Sequence, residues 1–125
     1  MAHILIAEDE DPTREFLTRA LVHEGHQITA VADGGEALEA LQAATFDLLL
    51  TDIVMPQLDG IALALKVTKD FPDLRIVLMT GYADEHARAH NLDALVHKVV
   101  SKPFSMVEIC AAVKAVLAAP ARPSG

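Results

Sequence analysis

Short apolar runs of strand length alternate along the chain with segments whose apolar residues recur at helical spacing. The first run, His3-Ile4-Leu5-Ile6-Ala7, stops abruptly at the acidic stretch Glu8-Asp9-Glu10-Asp11. Asp11 followed by Pro12 reads as an N-cap with proline at the first helical position. The helix it opens carries Phe16, Leu17, Ala20 and Leu21 on one face and stops near Gly25, a C′ residue. Gln27 to Ala32 is the second strand, and Asp33-Gly34-Gly35 turns into a helix with Ala37, Leu38 and Leu41 inward, ending near Ala44. The third strand, Asp47 to Thr51, is apolar at successive positions, as a strand buried on both faces must be. It ends on one carboxylate, Asp52. The chain then turns through Met55-Pro56 and Leu58-Asp59-Gly60.

A helix follows with Ile61, Leu65 and Thr68 on one face, until Phe71-Pro72-Asp73 breaks it after Asp70. Arg75 to Thr80 is the fourth strand. The segment from Ala83 to Asn91 permits a helix but holds almost no large apolar residue. Val96 to Ser101 is the fifth strand, stopping at Lys102-Pro103. Ser105 with Glu108 three residues on forms a capping box, opening an amphipathic helix through Ile109, Val113, Val116 and Leu117. Residues 1–119 read as one domain, and 120–125 as a flexible Pro/Ala/Gly tail.

Strand-helix alternation with short connections predicts an α/β fold: a three-layer, doubly wound (βα)5 sandwich around a five-stranded parallel sheet. With the second and fifth strands outermost, the strand order is 2-1-3-4-5. The tips of the first and third strands then lie side by side at the switch point, where such sheets place their chemistry. Glu8 and Asp9 meet Asp52 there, and Thr80 and Lys102 arrive from the fourth and fifth strands.

Composition narrows the setting. Apolar residues make up 52% of the 125, aromatics only 4% with no Trp, so the core is aliphatic. No apolar run approaches a membrane span, and the N-terminus lacks the layout of a signal peptide. A lone Cys110 forms no internal disulfide and suits a reducing cytoplasm. The net charge of −8 disfavours nucleic acid and anionic membranes as partners.

Three carboxylates gathered at one edge repel one another, so the site either raises a pKa or recruits a cation. Hard oxygen ligands with vacant positions suit Mg2+, which completes its shell with water and phosphate. A carboxylate oxygen can then attack phosphorus to form an acyl phosphate. Lys102 would pair with the phosphoryl oxygens, and the Thr80 hydroxyl would donate to another.

The stretches ILIAEDE, LLLTDIVMPQLDG, IVLMTGYAD and VVSKPF, in this order and at these separations, resemble the receiver domain of two-component response regulators. The resemblance runs from Ala2 to about Ala118. It implies a protein that is not an enzyme beyond its own phosphorylation and dephosphorylation. It implies Asp52 as phosphoacceptor, Asp9 and Asp52 as direct Mg2+ ligands, Glu8 acting through water and Val54 lending a backbone carbonyl. Thr80 becomes the switch hydroxyl, Lys102 the phosphoryl partner, and the peptide before Pro103 is expected to be cis.

One position departs from the family. Receivers usually carry Tyr or Phe three residues before the lysine, where this chain has Val99, so switching by a ring flip is in doubt. Tyr82, two residues past Thr80, is the candidate to take over part of that role. Val54 and Tyr82 flank the line of water attack and offer no acid or amide to orient a water, which implies slow self-dephosphorylation.

Other polar residues read more plainly. Glu10 and Asp11 are a solvated helix-capping pair, and Cys110 is a packing residue. His86 and His90, at i, i+4 spacing, have no further ligand at a spacing that suits zinc.

The stretch from Thr80 to Phe104 is similar to the CpdR-type regulators of alphaproteobacteria. Those are single-domain receivers phosphorylated through a histidine phosphotransfer route, whose unphosphorylated form primes the ClpXP protease. The implied partners are a histidine kinase or histidine phosphotransfer protein and the ClpX unfoldase. Two alternatives stay open: a phosphate-shuttling relay receiver, and the receiver of a longer transcriptional regulator. A nucleotide- or flavin-binding protein of the same fold fits worst, because the acidic loop would repel an unchelated phosphate.

Overall fold

The structure, a computed structural model, describes residues 2–55, 58–81 and 96–119. The described elements are β1 (His3–Ala7), α1 (Asp11–His23), β2 (Gln27–Val31), α2 (Gly34–Ala43), β3 (Leu48–Asp52), α3 (Gly60–Asp70), β4 (Arg75–Thr80), β5 (Lys98–Ser101) and α4 (Met106–Ala118). The five strands are all parallel, in the order β2-β1-β3-β4-β5, as the sequence predicts. The expected helix over 83–91, Tyr82 and the tail 120–125 lie outside the described residues.

Every residue of β3 is buried, because side chains alternate between two helix layers. Leu48 and Leu50, with Ile4, Ile6, Val77 and Met79, pack under Leu17, Leu21, Ile109 and Val113 of α1 and α4. Leu49 and Ile53, with Leu5, Ile76 and Leu78, pack under Ala37, Leu41, Leu63 and Val67 of α2 and α3. An apolar strand tip leaves its terminal polar residue nowhere to go but the shared C-terminal edge of the sheet.

The helix ends follow from local chemistry. Asp33 and Asp59 cap α2 and α3 by accepting from the N–H groups of Glu36 and Ala62, each at 2.8 Å. Ser105 and Glu108 form the expected reciprocal capping box of α4. Gly25 takes φ 96° past the end of α1, and the N–H groups of Gly25 and His26 close on the carbonyls of Val22 and Leu21. That is a Schellman ending.

Several expectations shift. The N-cap of α1 is Glu10 rather than Asp11, and its side chain makes no capping bond; Asp11 is already helical and pairs with Arg14. Phe16 is 37% exposed rather than inward, its ring 6.4 Å from that of Phe104. The buried face of α3 is Leu63, Ala64 and Val67, while Leu65 is exposed. Apolar residues surround the first two turns of that helix, so periodicity alone does not choose a face. β3 starts one residue later than expected, at Leu48, and the Asp47 carboxylate just before it accepts from the His3 N–H at 2.8 Å. β2 ends at Val31, and β5 begins at Lys98, with Val96 buried just before it.

Two glycines let the loop after β3 lie flat against the sheet edge. The Gly60 N–H donates to the Ile53 carbonyl at 2.7 Å, and a Cβ there would lie 2.0 Å from the Asp52 carbonyl oxygen. A Cβ on Gly34 would lie 2.2 Å from the carbonyl oxygen of Leu58. Both obstacles are backbone, which cannot swing aside. Gly60→Ala should therefore lower stability by about 1–3 kcal/mol, read from urea unfolding, by forcing the loop off the Asp52 backbone.

Candidate functional site

Four strand tips deliver the site. Glu8 follows β1 and is fully buried (0% exposed); its backbone N–H donates to the Val31 carbonyl, tying the tip to β2. Asp52 closes β3 at 6% exposure. Thr80, also buried, closes β4, and Lys102 follows β5. The Lys102 N–H donates to the Thr80 carbonyl at 2.7 Å, so the last two tips are joined through the backbone. The peptide between Lys102 and Pro103 is cis, as expected.

The Lys102 ammonium bridges two strands. Nζ donates to Glu8 Oε1 at 2.9 Å and to Asp52 Oδ2 at 3.0 Å. The remaining oxygens take backbone donors: the Ile53 N–H to Asp52 Oδ1 at 3.1 Å, and the Glu10 N–H to Glu8 Oε2 at 3.1 Å. Asp9 is exposed beside them, and carboxylate oxygens of Glu8, Asp9 and Asp52 all lie within 4.8 Å of one another. The cluster faces a cavity of about 500 Å3 lined by Asp9, Glu10, Asp52, Val54, Gly81, Lys102 and Pro103.

Electrostatics follow from this packing. Burial pushes the Asp52 carboxyl up from 3.8 to about 6; the Glu8 charge adds to the rise, and Lys102 opposes it. For Lys102, burial disfavours the charged form, but its bonds to Glu8 and Asp52 outweigh that and hold the ammonium above its usual value. The arrangement is an acidic pocket able to hold a cation, with a buried carboxylate at its centre.

The predicted acids and lysine come together, whereas Val99 and Cys110 lie elsewhere. Glu8, Asp9, Asp52 and Lys102 meet directly. Val54, 55% exposed, lines the cavity, and Thr80 sits buried one residue before the lining Gly81. Val99 is half-buried, packed against the core under α2 and α3. Tyr82, His86 and His90 fall outside the described residues. Cys110 is half-buried between α1 and α4, its Sγ 3.8 Å from the Ala20 carbonyl, and burial raises its pKa, which fits a packing role.

One contributor escaped the sequence reading. Arg14 binds the backbone of the acidic stretch through the Glu8 carbonyl, at 2.9 Å from Nη1. Its only sequence signal is a cation one turn into α1, on the helix that the acidic loop enters.

The family model for the response regulator receiver domain matches residues 4–114. The chain belongs to the response regulator receiver family. This receiver is 46% identical over 112 residues to the response regulator receiver protein CpdR of Brucella abortus, covering 87% of this chain and 91% of that one. It is 36% identical to the sensor kinase CckA of the same organism, over 93% of the receiver but only 12% of the kinase. Among solved structures, it superposes with a TM-score of 0.84 on the response regulator TrrA of Thermotoga maritima in complex with Mg2+-BeF, at 33% identity. That match covers 93% of the receiver and 99% of TrrA. The similarity to CpdR over nearly the whole of both chains identifies a response regulator of CpdR type, with the phosphorelay role that this family serves.

The raised Asp52 pKa carries a sign that can be checked. Between about 6 and 3.8 the folded receiver holds a proton that the unfolded chain does not, so this group makes the fold more stable as pH falls through that window. At pH 7 it is instead a liability. Asp52→Asn should stabilise the receiver at pH 7, on the order of 1–3 kcal/mol, with the gain shrinking toward pH 4. Paired urea unfolding curves at pH 7, 6, 5 and 4 measure it; a mutant no more stable at pH 7 would contradict the assignment.

Proposed function

We propose that this receiver accepts a phosphoryl group on Asp52 from a histidine phosphodonor and signals by protein contact. The observation that carries the proposal is the Lys102 ammonium bonded to Asp52 Oδ2 while Asp52 faces the open cavity. In the transfer, an Asp52 carboxylate oxygen attacks phosphorus as the phosphorus–nitrogen bond of phosphohistidine breaks. The imidazole leaves with the bonding pair. Lys102, already at Asp52, pairs with phosphoryl oxygens, and Thr80 at the neighbouring tip supplies the switch hydroxyl. Positioning and charge neutralisation carry most of the rate in such transfers.

Mg2+ fits the donor set: Glu8, Asp9 and Asp52 bring hard oxygens within 4.8 Å, and the cavity leaves room for water and phosphoryl oxygens. Asp9 and Asp52 would hold it directly, Glu8 through water, and the Val54 carbonyl would complete the protein share. When bound, the ion supplies neutralisation of the carboxylates and of the phosphoryl charge.

Residues 1–119 act as the receiver unit in this reading, with 120–125 as a tail, and the setting is the cytoplasm. Among the described residues no helix is long and apolar enough to cross a membrane. The similarity to CpdR supports the ClpX unfoldase as output partner, engaged by the unphosphorylated form. The similarity to a segment of the kinase CckA favours a second reading, a relay receiver that only passes phosphate on. Pull-down of ClpX by wild type and by Asp52→Ala separates the two, since a relay receiver captures none.

Incubation with acetyl phosphate and Mg2+, followed by Phos-tag electrophoresis, should shift wild type and leave Asp52→Asn unshifted. Stoichiometric labelling of the mutant would remove Asp52 as acceptor. Mg2+ should raise the melting temperature by binding the folded state, and Asp9→Ala should remove most of that rise. A rise that survives in Asp9→Ala places the ion elsewhere. Val54→Asn should shorten the lifetime of the phosphorylated form, because an amide beside Asp52 can orient water where valine cannot; an unchanged decay rate would refute that role.

A further inference from the structure

The acidic stretch between β1 and α1 places a metal-binding carboxylate on a loop, and one side chain fastens that loop. Arg14 Nη1 donates to the Glu8 carbonyl at 2.9 Å and, at 3.5 Å, approaches the Asp9 carbonyl. Nη2 pairs with the Asp11 carboxylate, and the Arg14 backbone N–H donates to the Glu10 carbonyl at 2.9 Å. All four residues from Glu8 to Asp11 are therefore tied to Arg14. The Asp9 carboxylate is exposed and accepts no hydrogen bond from any described residue. Its position depends on the backbone that Arg14 holds.

The choice of acceptors matters. Lys102 spends its donors on the carboxylates of Glu8 and Asp52, the atoms a cation would need. Arg14 reaches Glu8 and Asp9 only through carbonyl oxygens, so it brings positive charge to the acidic stretch without occupying either carboxylate. The planar fork is what allows this. Nη1 takes the carbonyls and Nη2 the carboxylate, a spread that a compact ammonium does not match.

We infer that Arg14 is a positioning residue for the divalent cation of the phosphoryl-transfer site, acting through the backbone carbonyls of Glu8 and Asp9. The inference rests on the Mg2+ reading given above. Residues behind the direct ligands typically change metal affinity by about 10–100-fold when removed. Loss of Arg14 lets the Asp9 carboxylate move away from Asp52 and removes the charge that moderates their repulsion. Phosphorylation should then fail at low Mg2+ and recover at high Mg2+, since Asp52 and Lys102 are untouched.

The test is a Mg2+ titration by isothermal calorimetry, with Mn2+ electron paramagnetic resonance as a second probe, on wild type, Arg14→Gln, Arg14→Lys and Asp11→Asn. Arg14→Gln and Arg14→Lys should weaken Mg2+ binding about 10-fold or more. Asp11→Asn, which breaks only the ion pair, should bind as wild type. Acetyl phosphate labelling of Arg14→Lys should approach the wild-type rate at saturating Mg2+, and circular dichroism without Mg2+ should show the variant folded, so that the recovery reports metal affinity rather than Mg2+-driven refolding. If Arg14→Gln does not fold, Arg14→Lys, which keeps charge and stem, decides the matter. Unchanged Mg2+ affinity in folded Arg14 variants overturns the inference, and so does an equal loss in Asp11→Asn. Wild type without saturable Mg2+ binding overturns the metal reading itself and this inference with it.

Discussion

Two carboxylates buried at adjacent strand tips, with one ammonium between them, are the constraint on which the rest of the structure depends. Glu8 and Asp52 can be buried only because Lys102 stands within 3.0 Å of both. A buried pair of like charges without a counter-charge is strongly destabilising. The compensation is incomplete, as the raised Asp52 pKa shows. A site that holds a desolvated carboxylate beside a second negative charge is receptive to added positive charge, and it turns an ordinary carboxylate into a group whose surroundings favour a change of charge.

The fold serves that constraint by stiffness. β3 is buried on both faces and pinned between β1 and β4, so Asp52 has little freedom to relax away from Glu8. The loop beyond it is pressed onto the sheet edge by close approaches at Gly34 and Gly60. The Thr80 carbonyl and the Lys102 N–H join the tips of β4 and β5, so any displacement of the Lys102 backbone is shared with Thr80. Val99 sits against the core without a ring, so this position has no aromatic rotamer to change.

Much of this was legible in the residues themselves. Strand-helix alternation predicts the parallel sheet, and the polar residues that end four of its strands predict the edge where those groups meet. The site residues were legible for the same reason: Asp52 and Lys102 interrupt apolar runs. What was not legible depends on contacts between segments. The inward face of α3 is chosen by the sheet beneath it, and its apolar girdle hides that choice. Phe16 lies on the edge of a helical stripe, and tertiary packing turned it toward Phe104 rather than the core. Arg14 was missed because its acceptors at Glu8 and Asp9 are backbone carbonyls, which leave no mark in side-chain chemistry.

The bond from Lys102 to Glu8 joins positions 94 residues apart, nearly the two extremes of the described sheet. Contacts so distant in sequence form late, after the intervening chain has been ordered and its closure entropy met. Before β5 docks, the first four strands would present two acids at their edge with no ammonium to face them. A chain short of β5 would hold the acids of the site without the lysine that faces them.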